Sequence, residues 1–181
     1  MKGRYSWFLL LAFMLFLSGC AHVISKDLRT KSDLALTLAQ VRQNPEAFKG
    51  KLIVWGGEII ETGNQKDGTT QIEVFQRPLG WRGEPQETTA SEGRFLILAD
   101  KYLDPYTFQR GRKITVAGEI LGEKIKPLGE MDYRYPIVSS KQIYLWPVYY
   151  YQPYPYTYYD PWWGYPYWWG GFGFYYHHHH H

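Results

Sequence analysis

Two segments of the chain repeat one pattern. GKLIVWGGEII begins at Gly50 and GRKITVAGEIL begins at Gly111. They align as glycine, base, spacer and isoleucine, then Gly57 against Gly118, Glu58 against Glu119 and Ile59 against Ile120. Both are rich in β-branched residues, so both read as strands, and a glycine inside a strand marks a bulge or a close approach by another backbone. Two strands in equivalent roles, each bent at a glycine, favour a small curved sheet over a helical fold.

The neighbouring segments extend that reading. TTQIEVFQ alternates, with Thr70, Ile72 and Val74 on one face and Gln71, Glu73 and Phe75 on the other. The turn chemistry of GNQKDG joins it to the first segment as a hairpin. RFLILA is apolar enough for a central strand, and LDPYTFQRG reads as a loop with a helical turn. YRYPIV and KQIYLW supply one or two more strands, with Pro136 pointing to an edge or a bulge. Leu34, Leu38 and Val41 recur at helical spacing behind the candidate caps Ser32 and Asp33, and the residue before Pro45 closes that helix. The expected fold is all-β: a small, partly open OB-like β-barrel over residues 32–147 with a short N-terminal helix. A small β-sandwich is the alternative.

The N-terminus gives an address. Lys2 and Arg4 precede an apolar run from Trp7 to Leu17, followed by Ser18, Gly19 and Cys20, the only cysteine. Positive residues, a short apolar stretch and small residues form the plan of a secretory signal peptide. A bilayer core needs about 20 apolar residues, more than this run supplies. Leu17-Ser18-Gly19-Cys20 matches the lipobox of bacterial lipoproteins, in which the peptide is cut before the cysteine and the sulfur receives a diacylglyceryl group. This places a signal peptide at 1–19, the lipid attachment at Cys20 and a polar tether over 20–31. A lone cysteine used as an attachment point leaves no thiol for catalysis or metal binding. In the lipoprotein class Ala21, where retained proteins usually carry aspartate, points to the outer membrane.

Charge and composition exclude several functions. Lys2 and Arg4 fall within residues 1–19, so cleavage reduces the 20 basic side chains to 18 against 17 acidic ones, a formal charge of +1. That is no footprint for nucleic acid, and no nucleic-acid partner is expected. Residues 32–147 contain no histidine, so a serine nucleophile lacks its usual base, and there is no G-x-S-x-G elbow. Glu58, Glu73, Glu119, Glu123, Glu130 and Asp132 offer carboxylates for a hydrolase, but solvated strand faces and salt bridges account for them equally. Glu58 and Glu119 read as a ligand-facing pair or as exposed residues beside a bulge. Trp81, in a glycine- and proline-rich loop, suits stacking on a sugar, insertion at a lipid interface or closure of the barrel mouth. No enzyme, cofactor or metal site is expected from the β-domain.

Residues 148–181 form a Tyr/Trp/Pro/Gly-rich low-complexity tail that ends in five histidines. Its prolines forbid a continuous helix or central strand. Its aromatic rings favour a membrane interface or a partner, with an envelope glycan or protein as candidates. Neighbouring imidazoles can chelate transition metals, a capability shared by any purification tag.

The pieces NPEAFKGKLIVWGGEI, IEVFQRPL, EGRFL, RGRKITVAGEI and GEMDYRYPIV, followed by LW, occur in an order that resembles the Slp family of outer-membrane lipoproteins, named for a starvation-inducible member. The resemblance implies a lipid-anchored outer-membrane protein with a small β-domain. The first expectation for its role is a structural or interaction function in the envelope, in integrity or stress tolerance, from the periplasmic face. It brings no catalytic residues, and only Cys20 carries over as a functional position. A periplasmic glycan- or small-ligand-binding module is the alternative, and an envelope hydrolase is a third reading.

Overall fold

The structure, a computed structural model, describes residues 22–148. The expected signal peptide, Cys20, Ala21 and the aromatic tail from residue 149 lie outside the described residues. Five strands follow two short helices: α1 (Lys26–Lys31), α2 (Leu38–Gln43), β1 (Leu52–Asn64), β2 (Thr70–Gln76), β3 (Arg94–Ala99), β4 (Lys113–Leu128) and β5 (Met131–Leu145). They close a barrel in the order β1-β2-β3-β5-β4, with β4 returning to β1. All ladders are antiparallel except β3–β5, a short parallel pairing of Leu96, Ile97 and Leu98 with Ile137, Val138 and Ser139. A five-stranded barrel in this order is the OB architecture, and its closure sets the sandwich aside.

Alternation along the strands fills the interior. Ile53, Ile59, Ile72, Val74, Phe95 and Val116 are inaccessible to solvent and belong to one core. Trp55 meets Phe95 edge-on at 5.5 Å and donates its indole N–H to the Leu36 carbonyl at 3.0 Å. Helix α2 adds Leu38 and Val41 to the same core.

The helix starts later than the spacing predicts. Thr37, not Ser32 or Asp33, is its N-cap, and Gln40 reaches back to the Thr37 amide to complete a capping box. Leu34 lies before the helix and is exposed. The far boundary falls at Asn44 as expected, and a 3-10 turn over Pro45–Phe48 follows.

The polar tether expected over 20–31 is a second difference. Ile24 is buried, α1 is capped by Ser25, and Asp27 sits in its first turn. The Gln142 side chain grips this segment, donating to the Val23 carbonyl and accepting from the Ser25 amide, both at 3.0 Å. The folded body therefore begins by residue 22–23, because one isoleucine and one cap suffice to dock the segment on β5.

A third difference concerns length. YRYPIV and KQIYLW are one strand, and β4 runs on through GEKIKPL to Leu128. The resulting hairpin outruns the barrel and turns back over the outer face of β2 and β3. Lys124 meets Gln71, while Lys126 and Tyr135 meet Glu73. The expected irregularity near Pro136 appears as a register shift between Ile120 and Gly122, next to the Glu123–Pro136 pair. The segment 103–111 forms turns without a helix.

Candidate functional site

A groove of about 380 Å³ lies beside the barrel. The chain preceding α2 forms one wall, through Leu34 and Leu36, and the loop after β2 forms the other, through Leu79. Trp55 closes the floor and is only marginally accessible. Gln76, Arg77 and Glu92 bring polar groups to the rim.

Those polar groups already have partners. Arg77 donates to the Thr88 carbonyl, stacks over Phe75 at 4.8 Å and lies 3.9 Å from Glu58. Glu92 accepts the Ala39 amide at the start of α2, at 2.9 Å, and its own amide donates to the Gln76 side chain. His22 accepts the Ile24 N–H through Nδ1 at 3.0 Å. Burial, followed by the nearby Arg29 charge, pushes the His22 pKa below its ordinary value. The groove thus offers apolar surface with a rim committed to holding the fold.

The carboxylates do not converge. In the β1–β4 ladder Glu58 lies opposite Lys113 and Glu119 opposite Leu52, at the two ends of the pairing. Six residues at about 3.3 Å each separate the two levels by about 20 Å, so they form no ligand-facing pair. Glu119 pairs with Lys141 at 3.6 Å and Glu123 with Arg134 at 3.3 Å. Glu130 and Asp132 are exposed near the tip of the long hairpin. Among the described residues no group of three or more His, Cys, Asp or Glu side chains is placed to hold a metal ion.

Sequence reasoning missed the role of Glu73. It lies on the outward face of β2, yet the long hairpin buries it. Arg94 donates to it at 2.7 Å, Tyr135 at 3.3 Å and Lys126 at 3.5 Å. Burial and the Glu73 charge raise the Tyr135 pKa, and the hydrogen bond to Glu73 raises that of Arg94. The only hint in the sequence is the alternation of Lys124 with Lys126 and of Tyr133 with Tyr135, which puts two bases and two aromatics on one face of the hairpin.

Trp81 is well exposed, at 68%, and does not close the barrel. Its loop is ordered by a short turn. Gly80 donates to the Glu84 carbonyl at 2.8 Å, and Gly83 donates to the Gly80 carbonyl at 2.9 Å. Gly83 holds a φ of +88°, which suits glycine. The Thr115 hydroxyl secures the turn by donating to the Gly83 carbonyl at 2.6 Å.

Comparisons place these features among known proteins. The chain is 29% identical over 127 residues to the "Uncharacterized lipoprotein YeaY" of Escherichia coli (strain K12), covering 70% of this chain and 65% of that protein, a little under two thirds of its length. An "Uncharacterized protein" of Haemophilus influenzae is 27% identical over 150 residues, covering 81% of this chain and 78% of that one. Solved structures with partial likeness include a small single-stranded DNA-binding protein from Streptomyces coelicolor, at a TM-score of 0.36, and the mitochondrial single-stranded DNA-binding protein Rim1 of S. cerevisiae, at 0.34. Each is 11% identical and covers 53% of this chain and 94% of its own, and no function follows from likeness at that level. The family model for "Outer membrane lipoprotein Slp family" matches residues 17–174, from the lipobox through the barrel into the aromatic tail, and the chain belongs to that family.

Proposed function

We propose that the protein is held to the periplasmic face of the outer membrane by lipid on Cys20 and acts there as a non-catalytic interaction module of the envelope. The observation that carries this reading is the position of the lipobox. Leu17-Ser18-Gly19-Cys20 stands at the first residue of the family match and ends two residues before the folded body begins. An anchor there holds the barrel against the membrane rather than at the end of a long spacer. Stable anchoring needs two or more acyl chains, since each buried CH₂ adds only about 0.8 kcal/mol.

The interaction role is supported by the state of the polar side chains. The groove's rim is engaged in hydrogen bonds, and the candidate carboxylates Glu58, Glu119 and Glu123 are paired with cations. A general acid or base needs a group poised for proton transfer beside a substrate site. The aromatic tail supplies the partner surface in this proposal, for a glycan or protein of the envelope. A second reading, a small-ligand-binding module, is favoured by the groove alone, whose exposed Leu34 offers apolar contact.

Labelling cells with a radioactive fatty acid and fractionating their membranes tests the anchor. The wild-type chain should carry label in the outer-membrane fraction, and Cys20→Ala should lose it. Equal labelling of both would contradict the proposal. Cross-linking in intact cells then tests the role: envelope glycan or protein on the tail supports it, and a small molecule cross-linked in the groove favours the second reading.

A further inference from the structure

The start of the folded chain and the tip of the Trp81 loop are tied together. The Val23 N–H donates to the Arg82 carbonyl at 3.2 Å. His22 packs so closely on Gly83 that a Cβ there would lie 2.8 Å from its ring. Gln142 holds Val23 and Ser25 from the other side. Two residues reach at most about 7 Å, so Cys20 can stray only that far from His22. Whatever surface receives the acyl chains of Cys20 therefore comes within reach of this loop.

The loop presents a pair of side chains suited to such a surface. Trp81 stands exposed, and the Arg82 guanidinium lies 5.8 Å from its ring. The Arg82 amide donates to the Glu84 carboxylate at 3.0 Å, which fixes the turn below the two side chains. Tryptophan partitions to the membrane–water interface, where its ring is buried and its N–H stays wet. Arginine beside it keeps its charge at headgroup level and attracts anionic lipid. The turn is preorganised, so little ordering entropy opposes insertion.

We infer that the Gly80–Gly83 turn is a membrane-contact site, with Trp81 seated in the lipid interface and Arg82 among the headgroups, so that the barrel is held in one orientation by the anchor and this turn together. The inference rests on the reading of Cys20 as the lipid-bearing residue. The partner is a lipid surface rather than a sugar because the anchor delivers the loop to lipid. Tyr106 is exposed on a different loop, which Leu103 ties to Thr70 at the start of β2, and it serves as the comparison site.

The test uses the full lipidated chain in vesicles of phosphatidylethanolamine and phosphatidylglycerol. Trp81→Cys and Tyr106→Cys each introduce the one thiol that lipidation leaves free, and each is spin-labelled. Flotation of the vesicles reports the anchor, and collision with oxygen and with a water-soluble nickel complex reports depth. The label at 81 should be shielded from nickel and open to oxygen, whereas the label at 106 should remain aqueous. An aqueous label at 81 in protein that floats overturns the inference while leaving the anchor intact. If that label is then immobilised by soluble glycan fragments, the turn is a glycan site instead. Protein that fails to float removes the anchor and this inference with it.

Discussion

Gly57 lies opposite Ile114 in the β1–β4 ladder, and Gly118 lies opposite Ile53. Ile53 and Ile114 are themselves equivalent in the repeated pattern, so the two strands meet about a local twofold relation, each placing its glycine against the other's isoleucine. The glycines also do one job in two places. A Cβ at Gly57 would overlap the Phe75 carbonyl of β2, and a Cβ at Gly118 would overlap the Ser139 carbonyl of β5. Neither has a positive φ, so close approach, and not backbone conformation, requires glycine.

Gly57→Val and Gly118→Val should each destabilise the barrel by about 1–3 kcal/mol or more, the range for overpacking a site that cannot yield. Gly63→Ala is the control, since nothing lies within 4 Å of a Cβ there. Urea unfolding should show lowered midpoints for the two valine variants and a midpoint close to wild type for Gly63→Ala. Unchanged midpoints in the valine variants would remove the close-approach argument.

Glu73 holds the long hairpin against the barrel. Glu73→Ala leaves Arg94 and Lys126 facing each other without their shared carboxylate, but both keep some contact with water. That screening places the expected loss at about 1–3 kcal/mol, below the cost of breaking a fully buried pair. A double-mutant cycle with Arg94→Ala should return a coupling energy of at least about 0.5 kcal/mol. Strictly additive losses would show that the hairpin docks by its tyrosines alone.

The contact of the N-terminal segment should depend on pH. The His22 pKa is lowered in the folded state, so the unfolded chain binds the extra proton first and stability falls as pH drops. The contribution is complete above the ordinary histidine range and is lost as pH falls through the folded pKa. Protonation also turns Nδ1 into a donor, and the Ile24 N–H then loses its acceptor. Ile24 amide protection, measured by NMR and corrected for intrinsic exchange, should decline through that range. Protection independent of pH would mean that His22 plays no part in docking.

Much of the barrel was legible because its signals are local. The alternation of Thr70, Ile72 and Val74 predicts a buried face, and all three are inaccessible. The glycine pattern predicts two equivalent strands, and the ladder joins them directly. What escaped depends on distant partners. Glu73 reads as a solvated outward residue until a hairpin more than 50 positions later covers it. Ser32 and Thr37 are both competent caps, and the choice falls to the one that lets Leu38 and Val41 reach the core and finds Gln40 three residues on. Ile24 in a polar stretch is too small a signal to announce that the folded body reaches back almost to the cysteine.

The central claim is that the family's lipid anchor is built on Cys20, immediately ahead of this barrel. Mass spectrometry of the N-terminal peptide of the protein isolated from membranes tests it most directly. The account predicts a mature chain that begins at Cys20 and carries a diacylglyceryl group on sulfur and an acyl group on the new α-amine. A mature chain that begins elsewhere, or a Cys20 recovered as a free thiol, would contradict it.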